Sequence, residues 1–183
     1  MDYEKGVRAE LISILEIFFD CFEEVPVLAN DCSKRRIDVL AVTQRELLTP
    51  ACIAFEVKSK VLTNPGNLKD AMWQASRYVG GTFDEVFNRA GEPRVDYAVV
   101  FPSTRYAWSH APGMTTGEEQ LLTGIQFMAE RLRVGYMYPD NTGHQICFGP
   151  AEFWHQSKGW QYDAKHRLRT HHIGCDPFAE CTE

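Results

Sequence analysis

The chain has 183 residues, a formal net charge of −6 and a hydrophobic content of 44%, with a mean hydropathy of −0.31. That length can bury a substantial core and makes one domain spanning 1–183 the expectation, while the acidic balance excludes nucleic-acid binding by bulk attraction, so any basic surface has to be local. No apolar stretch approaches the ~20 residues of a membrane helix, and the charged amino terminus lacks the layout of a secretory signal, so a cytoplasmic protein without membrane association is expected.

Residues 2–24 read as one amphipathic helix. At about 100° per residue, Val7, Leu11, Ile14, Leu15, Phe18 and Phe22 form its apolar centre, with Ile12 and Ile17 on the flanks. Glu16, Asp20, Glu23 and Glu24 fall on the opposite, solvated side. Glu10 points almost in the direction of Ile17, inside the apolar arc, and is the acid that needs an explanation. Two remain open: a carboxylate at the edge of the core, paired with Arg8 or a basic residue of a sheet, or a functional group.

Ile37-Asp38-Val39-Leu40-Ala41-Val42 and Cys52-Ile53-Ala54-Phe55-Glu56-Val57 are short apolar runs of the kind that form strands buried on both faces. Each carries one acid where an apolar residue is expected. An unpaired carboxylate there costs several kcal/mol unless a cation or hydrogen bonds compensate, so the local rule is broken as it tends to be at functional sites. Alternation along a strand places Glu56 and Lys58 on one face. The polar, turn-like residues between Thr43 and Pro50 allow a hairpin-like return that brings Asp38 beside Glu56. A hard cation such as Mg²⁺ takes one or two protein carboxylates at about 2.0–2.1 Å, which Asp38 and Glu56 can supply; an ordinary ion pair of either acid with Lys58 or Arg36 fits the same residues.

Pro65-Gly66-Asn67 announces a second helix from about Leu68 to Val79, with Leu68, Ala71, Met72, Ala75 and Val79 on its buried stripe. Gln74 and Tyr78 lie one turn apart along one flank, although Gln74 alone reads as a surface amide. Trp73 and Arg77 face outward, where contact with nucleic acid and simple exposure are both open. A short turn is expected over Phe83–Arg89, and Val95–Phe101 is a buried strand ended by Pro102. Ser103–Thr115 is a long aperiodic connection and a candidate substrate loop. Thr116-x-x-Glu119 reads as a capping box opening a helix through about Arg133, and Val134–Tyr138 and His144–Phe148 flank a turn-rich stretch that reads as a hairpin. The segment 151–183 is poorly readable.

Basic residues collect at Lys34-Arg35-Arg36 and in the tail, where Lys158, Lys165, Arg167 and Arg169 interleave with Trp160, Tyr162 and several histidines. The mixture suits phosphate and base contacts, and equally a solvated tail. Six cysteines show no CxxC pair, so free thiols behaving as small hydrophobes are expected. The spacing of His171, His172, Cys175 and Cys181 matches none of the usual structural zinc sites.

Taken in order, Gly6-x-x-x-Glu10, Asp38, Glu56-x-Lys58 and Gln74-x-x-x-Tyr78 resemble the pattern of the PD-(D/E)xK nuclease superfamily, the fold of type II restriction enzymes, archaeal Holliday junction resolvases and many repair and phage nucleases. The resemblance covers about residues 1–101. It implies an α/β, restriction endonuclease-like αβββαβ core, with a central mixed sheet flanked by helices and an added helix and hairpin in the elaboration at 102–150. It also implies a Mg²⁺- or Mn²⁺-dependent deoxyribonuclease of the endonuclease kind, in which Glu10, Asp38 and Glu56 hold the metal. Lys58 would contact the attacking water or scissile phosphate, and Gln74 would support the site. DNA contacts are expected from Lys34, Arg35, Arg36, Arg77, Tyr78, Lys165, Arg167 and Arg169. Ile37 stands where the named motif has proline, which supplies no ligand. No small-molecule cofactor is implied, and a homodimer stays open. The other reading the pattern admits is a catalytically silent nuclease fold that binds DNA or a protein partner.

Overall fold

Helix α1 spans Tyr3–Leu15 and stops well short of residue 24: the chain turns, and Phe19–Leu28 forms strand β1. Phe18 and Phe22 satisfy a helical spacing by accident. From Phe19 onward the burial is that of a strand, with Val25 and Val27 inside and Pro26 and Leu28 outside. β1 is an edge strand, the place in a sheet where Pro26 is tolerated. The computed structural model describes residues 3–44, 51–63, 65–87, 93–103, 113, 115–141, 143–148, 151–156 and 159–160.

Strands β2 (Lys34–Thr43) and β3 (Cys52–Leu62), helix α2 (Pro65–Ser76), a 3-10 turn (Glu85–Phe87), strand β4 (Tyr97–Ser103), helix α3 (Thr116–Leu132) and the hairpin β5 (Val134–Asp140) and β6 (Gly143–Phe148) fall where the sequence periodicity places them, within a few residues. Two further strands, β7 (Ala151–His155) and β8 (Gly159–Trp160), extend the sheet from the stretch that carried no readable period. All eight strands form one mixed sheet in chain order. β1, β2 and β3 are antiparallel, β3, β4 and β5 are parallel, and β5 to β8 are antiparallel again. The two parallel steps are made through α2 and α3, the crossovers that parallel pairing requires. No described helix is long and apolar enough to cross a membrane.

Each face of the sheet has its own core. Leu11, Ile14 and Leu15 of α1 pack on Val39, Ile53, Phe55 and Val99, whereas Leu68, Met72 and Ala75 of α2 pack on Leu40, Ala54 and Val100 of the other face. Burying each such aliphatic or aromatic side chain contributes about 1.5–3 kcal/mol, and this two-sided covering is why β2, β3 and β4 read as continuous apolar runs.

The pleat of β1 and β2 changes parity once. Phe22 and Leu40 face α2, and so do Val25, Val27 and Ile37, although strict alternation would send these odd-numbered residues to the α1 side. The change falls at Glu24, which has a φ of 56° and lies between the paired steps Glu23 with Val39 and Val25 with Ile37, opposite Asp38.

Close packing also dictates Gly135 in β5. A Cβ there would lie 2.6 Å from the Cys147 carbonyl oxygen and 2.7 Å from the Phe148 ring. Gly135→Ala should therefore lower stability by about 1–3 kcal/mol, the usual range for overpacking, read as a lower urea midpoint; an unchanged midpoint would mean that β5 and β6 can part without cost.

Candidate active site

Asp38 and Glu56 meet where β2 and β3 separate. The ladder runs from Val42 with Cys52 to Val39 with Phe55, and the next step in that register sets Asp38 against Glu56. There the backbone pairing gives way to a side chain: the Val57 N–H donates to Asp38 Oδ2 at 2.7 Å. The carboxylate thus fills the gap between the strands and satisfies an amide that would otherwise be buried without an acceptor.

Strand alternation directs Glu56 and Lys58 toward α2. Glu56 is 8% exposed. Its Oε1 accepts from Lys58 Nζ at 2.6 Å and its Oε2 accepts from the Tyr78 hydroxyl at 2.7 Å. Lys58 Nζ also donates to Gln74 Oε1, and the Tyr78 hydroxyl lies 3.1 Å from the Arg36 carbonyl oxygen. Gln74 closes the last turns of α2 and Tyr78 follows in the next turn, so the spacing of four residues carries both to the same two β3 side chains. Burial, reinforced by Glu56, pushes the Tyr78 phenol far above its ordinary range, which keeps it a donor.

The ion pair that the sequence admitted, Glu56 with Lys58, is therefore present. Asp38 is different. Among the described residues no basic group forms an ion pair with it, and its carboxyl is raised from 3.8 to about 6. Burial is the largest cause; the Glu56 and Glu4 carboxylates push the same way, opposed by the Val57 amide and by Arg8.

The charged residues that α1 presents to Asp38 are thus Glu4 and Arg8, not Glu10. Glu10 is exposed, and it lines a separate cavity with Lys60 and His144. Its expected direction came from sharing an arc with Ile17, but Ile17 lies beyond the end of the helix. Among the described residues no three His, Cys, Asp or Glu side chains converge as a metal-ligand group; of the three acids expected together, Asp38 and Glu56 lie on neighbouring strands and Glu10 lies apart from them.

Arg8 and Glu24 are the residues that sequence reasoning missed. Arg8 Nη1 donates to Glu24 Oε1, and Arg36 Nη1 donates to Glu24 Oε2 at 2.9 Å, so one carboxylate ties α1 to β2 beside Asp38. Glu24 was hidden by the overlong helix, which assigned it to a solvated face; the i,i+4 pair Glu4 and Arg8 was the one available signal.

The basic cluster divides. Lys34 is exposed, Arg35 pairs with Asp31 at 3.2 Å, and Arg36 stays 67% exposed despite its bond to Glu24. Trp73 is exposed on α2, and Arg77, just past the end of that helix, is half-buried. Lys158, Tyr162, Lys165, Arg167, Arg169 and the His171–Cys181 group lie outside the described residues, as does most of the expected loop 103–115.

Comparison of the chain with protein-family models, with curated proteins and with solved structures finds no match.

The raised Asp38 carboxyl has a consequence for stability. In the unfolded chain it ionises near 3.8, in the folded protein near 6, so between those values the folded state holds the extra proton and stability falls as pH rises, staying low above about 6. Asp38→Asn keeps an oxygen for the Val57 N–H and cannot ionise. Measured by urea unfolding in EDTA, its stability relative to wild type should rise between about pH 4 and about pH 7.5; a constant difference would show that Asp38 has no raised pKa.

Proposed function

We propose that the protein is a metal-dependent nuclease that hydrolyses phosphodiester bonds in DNA, with Asp38 and Glu56 as the metal-binding pair. The observation that carries this reading is the Asp38 carboxylate, which has no ion-pair partner among the described residues and is held by the Val57 amide beside a second, nearly buried acid. Two carboxylates that repel one another in a partly buried gap are a receptive site for a divalent cation, and one or two carboxylates with substrate oxygens and water meet what Mg²⁺ or Mn²⁺ requires. Support for a restriction endonuclease-like core comes from the element order α1, β1, β2, β3, α2, β4, with Asp38 on the second strand and Glu56-x-Lys58 on the third.

When bound, the cation supplies Lewis-acid stabilisation of phosphoryl charge and makes water a stronger acid. The side chains around it have separate tasks. Lys58 uses two of its three N–H groups on Glu56 and Gln74, leaving the third for a phosphate oxygen or the attacking water. Gln74 aims the ammonium and Tyr78 fixes the Glu56 carboxylate from the other side. Lys34, Arg36 and Arg77 offer exposed or partly exposed positive charge at the rim, which suits the backbone of DNA despite the acidic whole.

A second reading is favoured by one observation: among the described residues no three acidic, His or Cys side chains converge as a metal-ligand group, as in a scaffold retained for binding DNA or a protein partner. Cleavage of linear, circular, branched and single-stranded DNA with Mg²⁺ or Mn²⁺ separates the two. Wild type should cut in a metal-dependent manner, while Glu56→Ala and Lys58→Ala should each lose at least about 100-fold in turnover and still unfold cooperatively. Full activity in either variant removes the assignment, and metal binding without cleavage of any substrate establishes the silent scaffold.

A further inference from the structure

On the face of the sheet opposite α2, a cavity of about 750 Å³ opens beneath α1. Helix α1 contributes Tyr3, Val7 and Glu10 from one stripe, and the facing wall includes Ser59 and Lys60 of β3, Phe101 of β4 and His144 of β6. The cavity is lined by the carboxyl-terminal residues of parallel strands β3 and β4, the end at which open α/β sheets take ligands, and its size falls within the range of small-molecule sites. Ser59 directly follows Lys58. The same end of β3 therefore carries the proposed catalytic lysine toward α2 and borders the cavity on the other face.

We propose that this cavity is the subsite for an unpaired nucleotide adjoining the scissile phosphate, so that single-stranded or flapped DNA is the preferred substrate; this rests on the nuclease reading of the Asp38, Glu56 and Lys58 site. The lining matches a nucleobase in both its aspects. His144, half-buried against the core ring of Phe101 with centroids 6.3 Å apart, and Tyr3, 72% exposed at the mouth, provide surfaces for the π-face of a base. His144 is steadied by Gln156, whose Oε1 lies 3.2 Å from its Nδ1. At the edge, Glu10 forms no ion pair among the described residues, and a carboxylate accepts from the exocyclic amine of cytosine or adenine. Lys60 stands beside Ser59 for an adjacent phosphate. A base stacked within a duplex cannot present its faces to such walls, whereas an unpaired base enters at the smallest cost in stacking.

Two measurements on the full chain test this. Titration of deoxycytidine 5′-monophosphate should shift the His144 ring signals in the NMR spectrum, assigned through His144→Gln, and Val7→Trp should suppress the shift. Fluorescence anisotropy with Ca²⁺ present should give binding of a single-stranded oligonucleotide about tenfold tighter than binding of a blunt duplex. Val7→Trp and, independently, Ser59→Phe on the exposed strand end should bring that ratio toward one, while equal bulk at Leu121→Trp on the exposed side of α3 keeps it. A silent His144 together with a ratio unaffected by both filling variants overturns the proposal. A responding His144 and a preserved preference, without cleavage under Mg²⁺ or Mn²⁺, would uphold the nucleotide subsite while removing the nuclease reading.

Discussion

The site depends on one hydrogen bond, from the Val57 amide to the Asp38 carboxylate. A buried amide without an acceptor costs about 1–3 kcal/mol, so once β2 and β3 have parted at this step, the carboxylate is held in the gap. Rotating Asp38 away from Glu56 would relieve the repulsion between the two acids only by orphaning that amide. Charge is thereby locked in place against its electrostatic preference. The raised Asp38 carboxyl expresses its burial first and the repulsion from Glu56 after it, neither of which an apolar residue at position 38 would create.

A second irregularity lies opposite Asp38, one strand further out. Glu24 adopts a left-handed conformation, a state that costs a non-glycine residue about 1–3 kcal/mol and persists only where its surroundings over-determine it. Those surroundings are two guanidinium groups, Arg8 from α1 and Arg36 from β2, both bonded to the Glu24 carboxylate. The resulting shift in pleat lets Ile37 join the α2-side core while Val39 remains in the α1-side core, with Asp38 at the crossing point. A surface ion pair by itself contributes little, but here the arrangement fixes geometry: it sets the direction of the strand that carries Asp38, and it brings Arg8 close enough to temper the charge there.

What could be read from the sequence follows from the range over which each feature is encoded. β2, β3, α2 and α3 carry their period within a few residues, and Glu56 with Lys58, or Gln74 with Tyr78, become neighbours by strand or helix spacing alone. The boundary between α1 and β1 is not local in this sense. Phe18 and Phe22 fit both a helix and the strand, and only packing on β2 decides between them. That ambiguity carried the errors at the site: it extended the apolar arc to Ile17 and so drew Glu10 inward, and it hid Glu24 among solvated acids. Arg8 and Glu24 meet across 16 residues, a distance at which neither period speaks.

The two faces of the sheet also divide the work on the proposed reading. Glu56, Lys58, Gln74 and Tyr78 gather on the α2 side, whereas the cavity lies beneath α1, and β3 is the element common to both. A rigid, fully laddered β3 would keep them apart. Beyond Val57, however, the pairing of β3 with β4 is interrupted until Leu62: alternation still sets Lys58 toward α2, and past it Ser59 and Lys60 both border the cavity on the other side. On that reading, specificity for an unpaired base would require no loop insertion in this fold. It would need only that the strand bearing Lys58 lose its register where a substrate passes from one face to the other.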